Sequence, residues 1–377
     1  MRNAVIVEAI RTPIGKRNGK LSCVRPDELA AAVLRELVER VGVPADRIDD
    51  IIMGCVTQID EQGFNIGRQA ALLAGFPIEV PAVSINRVCG SSQQAVHFAA
   101  QAVMSGVQDV VIAAGVESMS RVPIGSDIGA FSPLLLERYE ITNQGLAAEK
   151  IAQRYELSRE VLDEFAYQSH LKAGKAREQG YFDREIVPIQ LDDGIIVNRD
   201  EGIREPEQLE GLRTLKPSFM ENGVLTAGNS SQISDAAAAM LITTEEKAAQ
   251  FGWKPRARIT QMEIVGSDPV LMLTGPIPAT QKILQKSGLK LADIDVFEIN
   301  EAFASVVLAW LNEIKPSAER VNPSGGAIAL GHPLGASGIR IMTTMLNHLE
   351  RTGGRYGLQT MCIGMGMATA TIIERMN

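Results

Sequence analysis

Short apolar, β-rich runs alternate with amphipathic helical patterns along this chain, and that rhythm restricts it to layered α/β folds. Residues 4–8, 51–56 and 80–85 read as strands, with a helical pattern over 26–41 between the first two. After Cys89 a stripe of Ala95, Phe98, Ala99 and Ala102 leads into a buried run at 109–114 ending at Gly115. Strand, helix, strand implies a parallel crossover. The rhythm loosens from about 117 to 246, where Asp192-Asp193-Gly194 and Arg204-Glu205-Pro206 mark loops around one helical stretch near 145–180. That region reads as an inserted loop domain. Order returns with strands at 256–265 and 296–299 and a helix from Ala302. A helix near 336–351 then carries Ile339, Met342, Leu346 and Leu349 on one face, before a closing strand pair around Met361 and Thr371. Two fragments hint at duplication: Ser84-Ile85-Asn86 beside Glu298-Ile299-Asn300, and 111–115 beside 361–364. Short apolar runs recur by chance in α/β proteins, so periodicity alone leaves duplication open.

The chain has 377 residues, enough for two or three units of about 150 residues each. A hydrophobic share of 45% with 22% charged residues excludes a disordered or fibrous protein. A net charge of -8 without a Lys/Arg cluster leaves no electrostatic footprint for nucleic acid. Met1-Arg2-Asn3 runs straight into the first strand with no signal-peptide pattern, and no apolar run reaches the roughly 18 residues of a membrane span. Cys23, Cys55, Cys89 and Cys362 lie far apart with no CxxC spacing, which suits free thiols in a reducing cytoplasm. No phosphate-loop, HExxH or paired Cys/His pattern occurs, so no metal site is expected.

Four places concentrate chemistry. Cys89 follows a β-run and opens a helix in Asn86-Arg87-Val88-Cys89-Gly90-Ser91-Ser92, where backbone N–H groups and the helix dipole lower a thiol pKa. A cysteine at a strand end is also a small core hydrophobe. His332 sits among five glycines in residues 322–338, placed to act as a general base on a turn before a helix, or simply to cap it. Cys362 closes a strand and enters Ile363-Gly364-Met365-Gly366, a turn whose amides can face an oxyanion. Its spacing does not fit a dinucleotide loop. Asn300 stands where a strand meets a helix, suited to orienting water or substrate or to capping the helix.

Together these segments resemble the thiolase family along essentially the whole chain. Asn86 to Ser92, Asn300 to Ala304, Gly325 to Gly338 and Cys362 to Gly366 carry the resemblance, in the family's order and at compatible separations. Leu215-Lys216-Pro217-Ser218-Phe219, residues 226–231 and residues 11–15 add to it. The resemblance implies two similar βαβαβαββ halves in a five-layer α-β-α-β-α arrangement. Residues 1–117 with 247–255 would form the N-terminal half, 118–246 an inserted domain covering coenzyme A, and 256–377 the C-terminal half. It further implies a homodimer or homotetramer, and coenzyme A and acyl-CoA as substrates with no permanently bound cofactor. Cys89 would be the nucleophile and His332 the base. Cys362 would protonate the departing acetyl-CoA enolate or, in the condensing direction, remove the α-proton. In family enzymes the Cys89 and Gly364 amides face the tetrahedral oxyanion, while His332 and a water held by Asn300 face the thioester oxygen. By segment matching, Arg204 would contact the nucleotide end of the coenzyme and Ser231 its pantetheine arm, with Phe219 and Met272 beside it.

Departures touch the substrate. Asn143-Gln144 replaces the His-Met of biosynthetic acetoacetyl-CoA thiolases, and residues 126–142 are short against them. Met365, Ala368 and Leu273 stand where the family has glycine, and Ser92 where glycine is frequent. Acyl-chain length and tetramer contacts therefore stay open. Two alternatives share the fold. A decarboxylating condensing enzyme pairs its cysteine with His-His or His-Asn and lacks the second cysteine, whereas a silent lipid-carrier or scaffold relative lacks one of Cys89, His332 and Cys362. A papain-like protease is excluded by order, since Asn300 precedes His332.

Overall fold

The computed structural model describes residues 2–376. Its first half runs β1 (Ala4–Arg11), β2 (Gly15–Lys16), α1 (Pro26–Val41), β3 (Asp50–Gly54), α2 (Ile66–Leu73), β4 (Ala82–Ile85), α3 (Ser91–Ser105) and β5 (Val110–Ser118). Next come α4 (Pro133–Arg138), α5 (Gln144–Arg154), α6 (Arg159–Glu178), β6 (Ile189–Gln190), β7 (Ile196–Val197) and α7 (Pro206–Leu209), followed by β8 (Ser234–Thr244) and α8 (Glu245–Phe251). The second half holds β9 (Ala257–Gly266), α9 (Pro276–Ser287), β10 (Val296–Ile299), α10 (Ala304–Ile314), α11 (Ala327–Leu330), α12 (Ser337–Thr352), β11 (Tyr356–Ile363) and β12 (Met367–Arg375).

Helix boundaries follow local chemistry. Proline opens α1, the Glu28 carboxylate accepts from the Arg25 N–H before it, and Gly42 closes it in the left-handed region at φ 68°. The inward stripe Leu29, Val33, Leu34 and Leu37 is fully buried, so Leu34→Ala would cost about 2–5 kcal/mol. The single helix expected near 145–180 is two, because Glu156 turns left-handed at φ 52° and the Ser158 hydroxyl caps a new helix at Val161 N.

The duplication left open by the sequence is explicit in the strand order. The first half-sheet reads β1-β8-β5-β3-β4 and the second β9-β12-β11-β10, and a parallel bridge from Phe297 to Val321 stands where a counterpart of β4 would be. Pairings agree in sense: β1/β8, β8/β5, β9/β12 and β12/β11 are antiparallel, while β5/β3, β3/β4 and β11/β10 are parallel. Thus 111–115 and 361–364 do lie on equivalent strands. The Ser84-Ile85-Asn86 match to Glu298-Ile299-Asn300 is out of register, because β10 corresponds to β3; Asn86 corresponds to Asn322, just after the Val321 bridge.

Five layers result. Helices α1 and α2 cover one face of the first half-sheet through Leu34, Ala70, Ile51, Ile112 and Leu241. Between the two half-sheets lie α3 and α12, packed through Ala99, Val103, Ile339, Met342 and Leu346. Helices α9 and α10 cover the far face through Ile283, Val307 and Trp310. The inserted region packs Ala148, Ile151 and Leu162 against Phe303, Val306 and Ile328 of the second half.

One boundary shifts. The expected loop domain 118–246 ends too late, since Ser234–Thr244 is β8, which lies in the interior of the sheet between β1 and β5. Its alanine-rich sequence lacks polar alternation because both faces are buried: Ala237, Ala239 and Leu241 on one side, Ala238, Met240 and Ile242 on the other. The elements between β5 and β8 lie within residues 119–233.

Candidate active site

Cys89 lies in the turn between β4 and α3. Val88 holds φ 46°, an uncommon conformation for a β-branched residue, and the turn around it is tightly bonded. Val88 N donates to Asn86 Oδ1 at 2.7 Å, Asn86 Nδ2 to Val56 O at 2.9 Å, and the Ser91 hydroxyl to Val88 O at 2.6 Å. Cys89 is 2% exposed, its side chain clustered with Val56, Met119 and Leu334.

The expectation of a depressed thiol pKa is overturned. Burial pushes Cys89 up to about 11, and the nearby Glu117 charge adds to this, while the Gly364 and Cys89 N–H groups pull the other way without winning. The resting group is a thiol, so a base is needed to activate it.

His332, 4% exposed, lies on the loop joining α11 to α12. Its Nδ1 is 2.6 Å from the Ser337 hydroxyl, which donates to Pro333 O at 2.8 Å, so Nδ1 carries the proton and donates to serine. Nε2 then accepts from Asn300 Nδ2 at 3.2 Å. Burial, with a smaller contribution from Arg340, pushes the imidazole down to about 3. It is neutral, with its lone pair on Nε2 accepting the Asn300 bond. Asn300 is 1% exposed, and its Oδ1 has no protein partner.

Cys362 is fully buried near the end of β11, against Met272, Leu273, Phe303 and Ile328. Burial raises its thiol well above the ordinary range, and the neighbouring Cys89 raises it further. Its cross-strand partner is Ala368, one of the positions where the family has glycine. Two residues beyond Cys362, Gly364 supplies the N–H that faces the Cys89 sulfur. Met365 takes φ 66°, so a side chain occupies a position whose backbone favours glycine, at a cost of about 1–2 kcal/mol. Gln144, half-buried at the start of α5, completes the surroundings: its Nε2 lies 2.9 Å from where a Cβ on Gly364 would project.

Of the expected coenzyme residues, three gather near this centre. Met272 shares a cluster with Cys362, Phe219 meets Phe303 edge-on at 5.6 Å between centroids, and Ser231 N donates to Ala302 O at 2.9 Å. Arg204 is not in contact with them. It is half-buried against His170, with 3.1 Å between Arg204 Nη1 and His170 Nε2, and no carboxylate pairs with it among the described residues. Burial lowers the pKa of both, leaving an arginine that a phosphate would stabilise.

Sequence reasoning missed Ser337 and Glu117, and read Gln144 only as a departure touching the substrate. Ser337 lies inside the glycine-histidine segment, and its position five residues after the histidine was the available signal. Glu117 had none. A cavity of about 720 Å³ lies elsewhere, between α6 and the far end of α10, and is lined by neither cysteine. Among the described residues no group of three or more His, Cys, Asp or Glu could hold a metal ion, and no helix is long and apolar enough to cross a membrane.

Comparison with known proteins covers the same span. Residues 4–246 match the family model for the thiolase N-terminal domain and 253–375 that for the thiolase C-terminal domain. The chain is 48% identical over 389 residues to a steroid 3-ketoacyl-CoA thiolase of Mycobacterium tuberculosis, covering all of this chain and 95% of that protein. It is 46% identical over 386 residues to a 3-ketoacyl-CoA thiolase of Aliivibrio fischeri, covering all of both. The crystal structure of the Bacillus anthracis acetyl-CoA acetyltransferase superposes with a TM-score of 0.93 at 40% identity, covering 100% of this chain and 99% of that one.

Proposed function

Because this chain belongs to the thiolase family over its full length, we propose that it transfers an acyl group between coenzyme A and a 3-oxoacyl-CoA through an acyl-Cys89 intermediate. The observation that carries the reading is a neutral buried imidazole with its Nε2 held as an acceptor, two residues before the Leu334 that packs on Cys89, and a second thiol coupled to the first.

In cleavage, Cys89 passes its proton to His332 Nε2 as its sulfur adds to the C3 ketone carbon. The C2–C3 bond then breaks. Its electron pair goes to C2, the resulting acetyl-CoA enolate takes the Cys362 proton, and the shortened acyl group stays on Cys89 as a thioester. The proton on His332 returns to Cys362, freeing the base. An incoming coenzyme A thiol gives its proton to His332 and attacks the thioester carbonyl, and Cys89 leaves as a thiolate that recovers the proton. Condensation is the reverse. The Cys89 and Gly364 amides would hold the tetrahedral oxyanion, and His332 with a water on Asn300 Oδ1 the thioester oxygen; loss of one such donor typically costs about 3 kcal/mol in the barrier.

Phe219, Met272 and Ser231 are assigned to the pantetheine arm and Arg204 to the nucleotide phosphates, under the inserted domain. A homo-oligomeric, cytoplasmic enzyme is part of the same reading. Self-association is supported by the outer edge of β4, which ends the sheet beside the exposed apolar residues Phe64, Ile78 and Val83. Cys362 argues against a decarboxylating condensing enzyme, and the complete set of Cys89, His332 and Cys362 against a silent relative.

Iodoacetamide tests the nucleophile. It should inactivate by alkylating Cys89, with acetoacetyl-CoA or acetyl-CoA protecting, and loss of activity with the label on another residue would refute the assignment. Comparing coenzyme A-dependent cleavage of acetoacetyl-CoA with that of a six- to ten-carbon 3-oxoacyl-CoA fixes the acyl length. A tenfold preference, about 1.4 kcal/mol, decides it.

A further inference from the structure

Glu117 is completely buried near the end of β5, yet it accepts hydrogen bonds only from neutral N–H groups. Oε2 takes Val56 N at 2.9 Å and Gly335 N at 2.8 Å; Oε1 takes Thr57 N at 3.0 Å and Gln62 Nε2 at 2.9 Å. Burial raises the carboxyl from its ordinary value and the four donors pull it back down; they fill the acceptor sites of an ionised carboxylate, and a protonated carboxyl would have to forfeit one of them. Gln62 is fixed in turn, donating to Thr57 O at 2.8 Å and accepting from Ser118 N at 2.7 Å.

What these bonds join gives them meaning. Val56 and Thr57 follow β3 in the first half, whereas Gly335 lies three residues after His332 in the second. Val56 and Leu334, each carrying or adjoining one of the bonded amides, are two of the residues that enclose the Cys89 sulfur. Gly335 comes so close to the first half that a Cβ there would fall on Val116 O and lie 2.8 Å from Gly54 O. The His332 loop therefore rests on the Cys89 side of the molecule through one carboxylate and a bare backbone contact.

We propose that Glu117 is a positioning residue for acyl transfer, fastening the His332 loop to the segment that walls the Cys89 sulfur and holding a fixed negative charge beside that thiol. The proposal rests on Cys89 and His332 being nucleophile and base. Glu117 on β5 is the charged group that raises the Cys89 thiol beyond the effect of burial. Cys362 on β11 is coupled to the same sulfur, and Arg340 on α12 faces His332.

The test uses the full-length enzyme with Glu117→Gln and Glu117→Asp. Glutamine keeps the shape but turns an amide NH2 toward two N–H donors and removes the charge. Aspartate keeps the charge but is one methylene too short to reach both segments. Both variants should lose at least tenfold in kcat with KM for coenzyme A within threefold. Only Glu117→Gln should move the pH midpoint of Cys89 alkylation by iodoacetamide, toward lower pH by at least half a unit. A kcat within twofold of the parent in either variant, or an unmoved midpoint in Glu117→Gln, overturns the proposal. If neither variant folds, deuterium exchange of the parent enzyme decides, since peptides containing Val56-Thr57 and Gly335 should exchange slowly at those amides and rapid exchange removes the tie. Failure of the parent itself to label at Cys89 would count against the acyl-transfer assignment, not against the role of Glu117.

Discussion

Replacing His332 by alanine isolates the cost of activating Cys89 without a base. No charge from His332 contributes to the Cys89 pKa, so the thiol stays near 11 in the variant. At pH 7 about one part in 10⁴ of such a thiol is ionised, so acylation should slow by about 10⁴-fold, roughly 5.5 kcal/mol in the barrier. The sign of the pH response follows. The thiolate fraction grows about tenfold per pH unit below the pKa, so the single-turnover rate of the variant should climb about tenfold per unit between pH 7 and 9. The parent should show no such climb through this base, because a His332 pushed down to about 3 is already deprotonated across the neutral range. Mixing enzyme with acetoacetyl-CoA, quenching with acid and weighing acyl-Cys89 by mass spectrometry reads the step directly. A loss smaller than a hundredfold, or a variant rate flat in pH, would refute the reasoning.

Two further outcomes are expected. In Gly145→Ala the new methyl falls on the Phe219 ring, so the KM for coenzyme A should rise about tenfold with kcat little changed; an unaltered KM would remove Phe219 from the coenzyme site. Burial pushes the Glu298 carboxyl up to about 8, and since its folded pKa exceeds the unfolded one, its contribution to stability is complete below about pH 4.5 and is lost as pH rises through 8, by roughly 5 kcal/mol at most. Denaturant unfolding of Glu298→Gln should accordingly match the parent at pH 5 and exceed it at pH 8.5, and parallel pH profiles for the two would contradict the shift.

The sequence revealed the elements whose burial is one-sided or whose ends carry strong punctuation. Helix α1 has a proline, a capping glutamate and a closing glycine, and its reading of 26–41 coincides with the helix. Strand β8 was hidden in the supposed loop domain because a strand covered on both faces loses its alternation, and a run of alanines carries no β signature of its own. The catalytic candidates were legible through rare residues in unusual settings: a histidine among glycines, and two cysteines each at a strand end. The thiol pKa was misjudged because burial depth is set by the layers above the turn, which no local pattern around Cys89 encodes. Glu117 was invisible for a related reason, since it matters through a bond to Gly335, more than two hundred positions along the chain; Ser337 and Gln144 were in view, but not their contacts with His332 and Gly364.

The duplicated halves, equivalent in strand order, are no longer equivalent in chemistry. On the proposed roles the nucleophile, Cys89, comes from one copy and the acid and base, Cys362 and His332, from the other, so neither copy would retain a complete set. The reaction centre acts as a gauge of how the copies are docked. A substitution anywhere along the seam between α3 and α12 that slides one copy over the other would register first as lost turnover, before any loss of folding, and a split of the gene between the copies could regain activity only by rebuilding that seam.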